Sequence, residues 1–158
     1  MGERTETLAK QFEATNEAVI AAVEQCSGDQ WSAVCAGEAW PVGVTAHHVG
    51  SSHQPVAGLA QAIANGQPLP PLTAETLNAG NAKHAQDFAN CTKEETIVLL
   101  RDGGVQAAAI VRGLGDEQLN RSATVFGNEM SAQQAIEGIL IGHPRSHLES
   151  IRAAMGTA

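Results

Sequence analysis

Four stretches of about twenty residues repeat their apolar side chains at the spacing of an α-helix, and this period leaves little room for any other fold. The first runs Thr5 to Cys26 through Leu8, Phe12, Val19 and Ala22, and stops at Gly28-Asp29. The second runs from near Pro41 to Asn65, with a stripe of Val49, Ser52, Val56, Leu59 and Ile63, and ends on Asn65-Gly66. A Thr92/Glu95 capping box opens the third, which buries Leu100, Gly104, Ala107, Ala108 and Val111 and runs through Leu114. Ser131 with Gln134 opens the fourth, whose stripe is Ala132, Ile136, Ile139, Leu140, Ile151 and Ala154. Gly115 to Met130 reads as a long loop, and no segment has the alternation of a strand. The expected fold is all-α, a four-helix bundle in one domain spanning residues 1–158.

Between the second and third stretches, the link Pro68-Leu69-Pro70-Pro71 leads to Thr73, which caps a further helix over Ala74 to Asn90. This short extra helix lengthens the middle connection, so the second and third long helices can point the same way. Its inner line is Leu77, Asn81, His84 and Phe88. Asn81 and His84 are the candidates to line a pocket; the alternative is an ordinary amphipathic helix carrying two tolerated polar residues. Trp31 and Trp40, in the connection Gln30 to Pro41, are read as lids over a bundle end.

Charge narrows the function. Nine Lys and Arg against seventeen Asp and Glu give a net charge of −8, and the basic residues are scattered. No basic patch offers a footprint for nucleic acid or for an anionic membrane. No apolar run approaches the roughly 18–20 residues of a spanning helix. Met1 to Lys10 is polar and acidic, so no secretory signal is expected. Cys26, Cys35 and Cys91 lack CxxC spacing and fit free thiols in a cytoplasmic protein.

Chemistry concentrates in Gly142-His143-Pro144-Arg145-Ser146-His147. His143 and His147 are four apart, so both rings leave one helix face, and the wheel puts them in the middle of the apolar stripe. Buried polar groups without partners cost on the order of 1–3 kcal/mol each, and a divalent metal is one such partner. His48 lies roughly 50° from the second helix's stripe centre, whereas His47 lies about 150° away and is expected in solvent. His53 is expected at the surface. In a bundle His48 could meet His143 and His147, a set suited to zinc, nickel or iron(II) with a coordination position left open; the alternative is that His143 and His147 are core-edge histidines hydrogen-bonded to carbonyls or water. Glu149, about 200° round from His147, cannot close the shell. Pro55 should kink the second helix and Pro144 the last one, where a kink either reorients His143 or spoils the i,i+4 geometry.

The segment WSAVCAGEAWPVGVTAHHVG, Trp31 to Gly50, resembles the signature of the DinB-like superfamily, with His48 eight residues after Trp40. GHPRSHLESI, Gly142 to Ile151, is similar to that superfamily's second metal motif. The resemblance covers nearly the whole chain. It implies an up-down-down-up four-helix bundle and a three-histidine metal site of His48, His143 and His147 opening on a pocket. It also implies relatedness to mycothiol-dependent maleylpyruvate isomerases and bacillithiol S-transferases. The activity so implied is metal-dependent transfer of a low-molecular-weight thiol to a small electrophile, in a possible homodimer. The rival expectation is a non-catalytic metal-binding or stress-related interaction protein.

Overall fold

The computed structural model describes residues 2–157. In chain order it has α1 (Glu3–Gln25), a one-turn α2 (Gly28–Trp31), a two-stranded ribbon of β1 (Val34–Cys35) and β2 (Trp40–Pro41), and α3 (Val42–Asn65). The middle connection carries α4 (Ala74–Asp87), followed by α5 (Lys93–Arg112). A 3-10 turn (Gln118–Asn120) leads to the antiparallel hairpin β3 (Ser122–Val125) and β4 (Asn128–Ser131). The last rod is composite: α6 (Ala132–Ala135), a π-type segment over Ile136–Ile141, and α7 (Gly142–Met155). Among the described residues no helix is long and apolar enough to cross a membrane.

Side-chain register fixes the helix directions. On α1, Glu24 pairs with Arg101 of α5, while Glu6 and Glu13 both pair with Arg112, so α1 and α5 are antiparallel. On α3, Gly50 lies against Leu99 and Leu100, and Gln54 hydrogen-bonds Gln106, so α3 and α5 run parallel. The early part of the last rod, Ile136 and Leu140, shares a core cluster with Ile63; its end, Leu148, Ile151 and Met155, clusters with Val42, Ala46 and Val49. The last rod is therefore antiparallel to α3. The result is an up-down-down-up four-helix bundle, made possible by α4 carrying the chain back between α3 and α5.

Small residues set the α3–α5 distance. A Cβ at Gly103 would lie 3.3 Å from the Gly50 carbonyl oxygen, and one at Gly104 only 2.3 Å from Asn16 Nδ2. These glycines let three helix backbones approach, and Leu100, Ala107, Ala108 and Val111 are buried beside them. The inner face of α3 differs from the expected stripe. Ala46, Val49, His53, Ala57, Ala60 and Ala64 are fully buried, whereas Ser52, Val56 and Leu59 are only half-buried and line a cavity. The helix continues unbroken through Pro55.

Two expectations on irregular segments are corrected. The reading of 115–130 as loop misses the hairpin, whose tip is Phe126-Gly127 between the paired residues Val125 and Asn128. Both tip residues have positive φ, 51° and 79°, the requirement of a type I′ turn. Glycine accepts this freely, but a left-handed conformation costs Phe126 about 1–2 kcal/mol. The last rod also departs from a plain helix. Its buried line, Ile136, Leu140, Pro144, Leu148 and Ile151, takes three steps of four before one of three, and in a regular α-helix each step of four drifts about 40° round the axis. The wide π turns absorb that drift just ahead of Pro144, which has no N–H to give the helix. Pro144 and Leu148 thus hold the core line, and His143 and His147 stand half-buried at its edge rather than in its middle.

Candidate metal centre

Three imidazoles from two helices converge. His48 on α3 and His143 on α7 approach through their Nε2 atoms at 3.0 Å, and His143 and His147 through theirs at 3.0 Å. One ring nitrogen from each of the three lies within 4.8 Å of the others. The i,i+4 spacing on α7 supplies two of them. The third comes from α3 because the two helices cross there antiparallel.

Protons cannot satisfy this arrangement fully. His147 Nδ1 lies 3.2 Å from Glu38 Oε1, an acceptor that draws a proton to Nδ1, so the tautomer that suits the pair has its lone pair on Nε2. His143 Nε2 then faces two nitrogens with at most one proton, enough for one full hydrogen bond. Burial, followed by the neighbouring imidazoles, pushes His48 down to about 3; burial and His147 push His143 down to about 4. Neutral rings with converging lone pairs are the donor set a divalent cation takes, and a carboxylate behind one ring is its usual support. The residues fit such a group.

Glu38 escaped the sequence reading. It belongs to the turn between β1 and β2, where Ala39 takes a positive φ of 59°. Its second oxygen, Oε2, is buried without a protein partner. The available signal was an acidic residue in a turn two places before Trp40. Trp40 itself packs edge-on against His48, with ring centroids 5.3 Å apart, so it belongs to the site's wall rather than to a bundle end. Trp31 lies flat on Gly43 and donates its indole N–H to the Cys91 carbonyl.

Two other histidines are misplaced by the helical wheel. His47 is only 8% exposed, because α4 covers it: Phe88 stacks on its ring at 4.1 Å, and His84 Nε2 lies 2.8 Å from its Nδ1. His53 is 1% exposed and its Nε2 meets Asn16 Oδ1 at 2.7 Å, while Asn16 Nδ2 donates to the Leu100 carbonyl. Glu149 is exposed and is not among the grouped donors.

The centre borders a cavity of about 740 Å³. Its walls are Val56 and Leu59 of α3, Leu69 and Leu72 of the link, Leu77 of α4, Phe126 of the hairpin tip and Ile139 of the π segment. His48, His143, Asn81, His84, Ser51 and Ser52 supply the polar points. Cys26 and Cys35 are buried elsewhere, with burial raising both thiols, and Cys91 lines a separate groove between α3, α4 and α5.

The sequence model of the DinB superfamily matches residues 11–151, and the chain belongs to that superfamily. Among solved structures it is similar to YfiT from Bacillus subtilis, described as a probable metal-dependent hydrolase with an unusual four-helix bundle topology. That similarity has a TM-score of 0.74 at 17% identity, over 99% of this chain and 90% of the other. No curated protein matches.

Proposed function

We propose that this DinB-superfamily protein is a metal-dependent transferase that joins a low-molecular-weight thiol to a small electrophile with an apolar body. His48, His143 and His147 hold the divalent cation, zinc or nickel, or alternatively iron. The observation that carries the reading is the convergence of three imidazoles, two of which, His48 and His143, line an apolar cavity. Bound there, a divalent cation with neutral ligands keeps its positive charge and lowers the pKa of a thiol or water presented to it.

The chain's own residues do the rest. Glu38 holds the proton on His147 Nδ1 and so aims the Nε2 lone pair inward. Burial keeps His48 and His143 unprotonated, as ligands must be. Val56, Leu59, Leu69 and Leu77 exclude water and take the electrophile's apolar part, while Asn81 and His84 offer hydrogen bonds to its polar end. None of the three cysteines lines the cavity, so the thiol comes from outside the chain.

Water in place of the thiol gives a second reading, hydrolysis, favoured by the likeness to YfiT and its description. One experiment separates these from a non-catalytic metal protein. Elemental analysis should find stoichiometric metal in the wild type and none in His147→Ala, with Glu38→Gln binding about tenfold more weakly. Consumption of a model epoxide or alkyl halide should then require mycothiol, bacillithiol, glutathione or cysteine and vanish in His48→Ala. Ester cleavage without any thiol transfers the assignment to hydrolysis. Bound metal with neither activity leaves the binding-protein reading.

A further inference from the structure

The hairpin tip raises a question the bundle does not answer. Phe126 occupies the first central position of a type I′ turn, with φ +51°, where Asn, Asp or Gly is the favoured residue. Its ring is no part of the core, since the residue stays 44% exposed and is absent from both core clusters. Turn chemistry argues against Phe here, and core packing does not require it. What its position does provide is an aromatic side chain lining the cavity, together with the link residues Leu69 and Leu72 and with Leu77 of α4.

The cavity's length adds the second observation. Its floor is α3 from His48 to Ala62, fifteen residues, or about 21 Å of helix. The hairpin is rooted at the far end of that floor, where Arg121 donates to the Ala64 carbonyl. Beyond Ser51 and Ser52, which follow His48 on the floor, the lining toward the hairpin is apolar: Val56, Leu59, Ile139 and the link leucines.

We infer that Phe126 is a specificity-determining residue, and that the substrate is a small electrophile carrying an extended apolar tail or ring system that ends against Phe126. The inference rests on the cavity being the substrate site and deepens that reading by naming the substrate class. Phe126 contributes contact to the bound tail and nothing to the stability of the fold. The hairpin keeps the strained tip because its register, Val125 against Asn128, is set by the strands below it.

The test uses the full-length protein as purified and the neutral fluorophore N-phenylnaphthylamine as an apolar probe. Phe126→Asn installs the residue the turn prefers, so its melting temperature should equal or exceed the wild type's. Its probe affinity should fall about tenfold, the scale of losing one aromatic contact. Phe126→Leu, which keeps an apolar side chain, should retain most of the affinity. The inference is overturned if the wild type does not bind the probe, if Phe126→Asn binds it equally well, or if that variant melts lower. Metal content of the same samples separates the two readings. Normal metal with undiminished probe affinity removes the role of Phe126 and leaves the centre; absent metal with Phe126-dependent probe binding does the reverse.

Discussion

Helices α4 and α5 both lie against α3, and they do so in opposite ways. α5 meets it through Gly103, set against the Gly50 carbonyl and His53, while the next residue, Gly104, faces Asn16 of α1, and both glycines are buried. α4 has no buried residue at all, although its inner line of Leu77, Asn81, His84 and Phe88 keeps a helical period just as regular. Small side chains let backbones close and exclude everything else, whereas large mixed ones hold the helices apart. The first contact is the fold's keel. The second encloses the cavity beside the imidazoles, and an amphipathic pattern alone does not distinguish them.

The strongest way to break this contrast is to overfill the tight side. Gly104→Leu drives a side chain into Asn16, which bridges His53 and the Leu100 carbonyl, and should cost at least about 3 kcal/mol in urea unfolding. A loss under about 1 kcal/mol would mean the seam is looser than its distances imply.

Acid probes the same side more gently. Burial, with His143 as a smaller contributor, pushes His53 down to about 4 from an ordinary 6.5. The folded state therefore favours the neutral ring, and unfolding takes up a proton between these values. Stability from this group is present above pH 6.5, declines as pH falls from 6.5 to 4, and is absent below. The loss should be on the order of 3 kcal/mol. Urea midpoints across that range should fall more steeply for wild type than for His53→Gln, which keeps a hydrogen-bonding group for Asn16. Parallel curves would remove His53 from the account.

The loose side should tolerate most. Leu77, 40% exposed on α4, lines the cavity without entering the core. Leu77→Ala should lower stability by less than about 1 kcal/mol while weakening an apolar probe measurably. A core-sized loss of 2 kcal/mol or more, the usual range for a buried Leu→Ala, would place α4 in the keel after all.

Much of this arrangement is legible without coordinates. Capping at Thr73, Thr92 and Ser131 sets three helix starts, because the side chain satisfies an N–H at a position that only a helix start leaves open. The period of four long stretches gives the bundle, and the extra helix gives its parallel pair. His48, His143 and His147 stand out on spacing and wheel position, and the structure brings those three together. The Glu38 carboxylate had no such signal, since its role depends on a turn delivering it to a ring more than a hundred residues away.

What the sequence determines by itself is local: which segments are helical, where they begin, and which side chains share a face. Those follow from backbone hydrogen bonding and a fixed angular period, properties of a short window. Tertiary structure alone decided burial. His53 is enclosed because Gly103, fifty residues later, carries no side chain to hold α5 off. His47 is enclosed because Phe88 and His84 close over it. The drift absorbed by the π turns was likewise invisible, since it reflects which line of the last rod its neighbours require, rather than the preference of any residue along it. A helical wheel describes one cylinder, but burial depends on every cylinder packed against it.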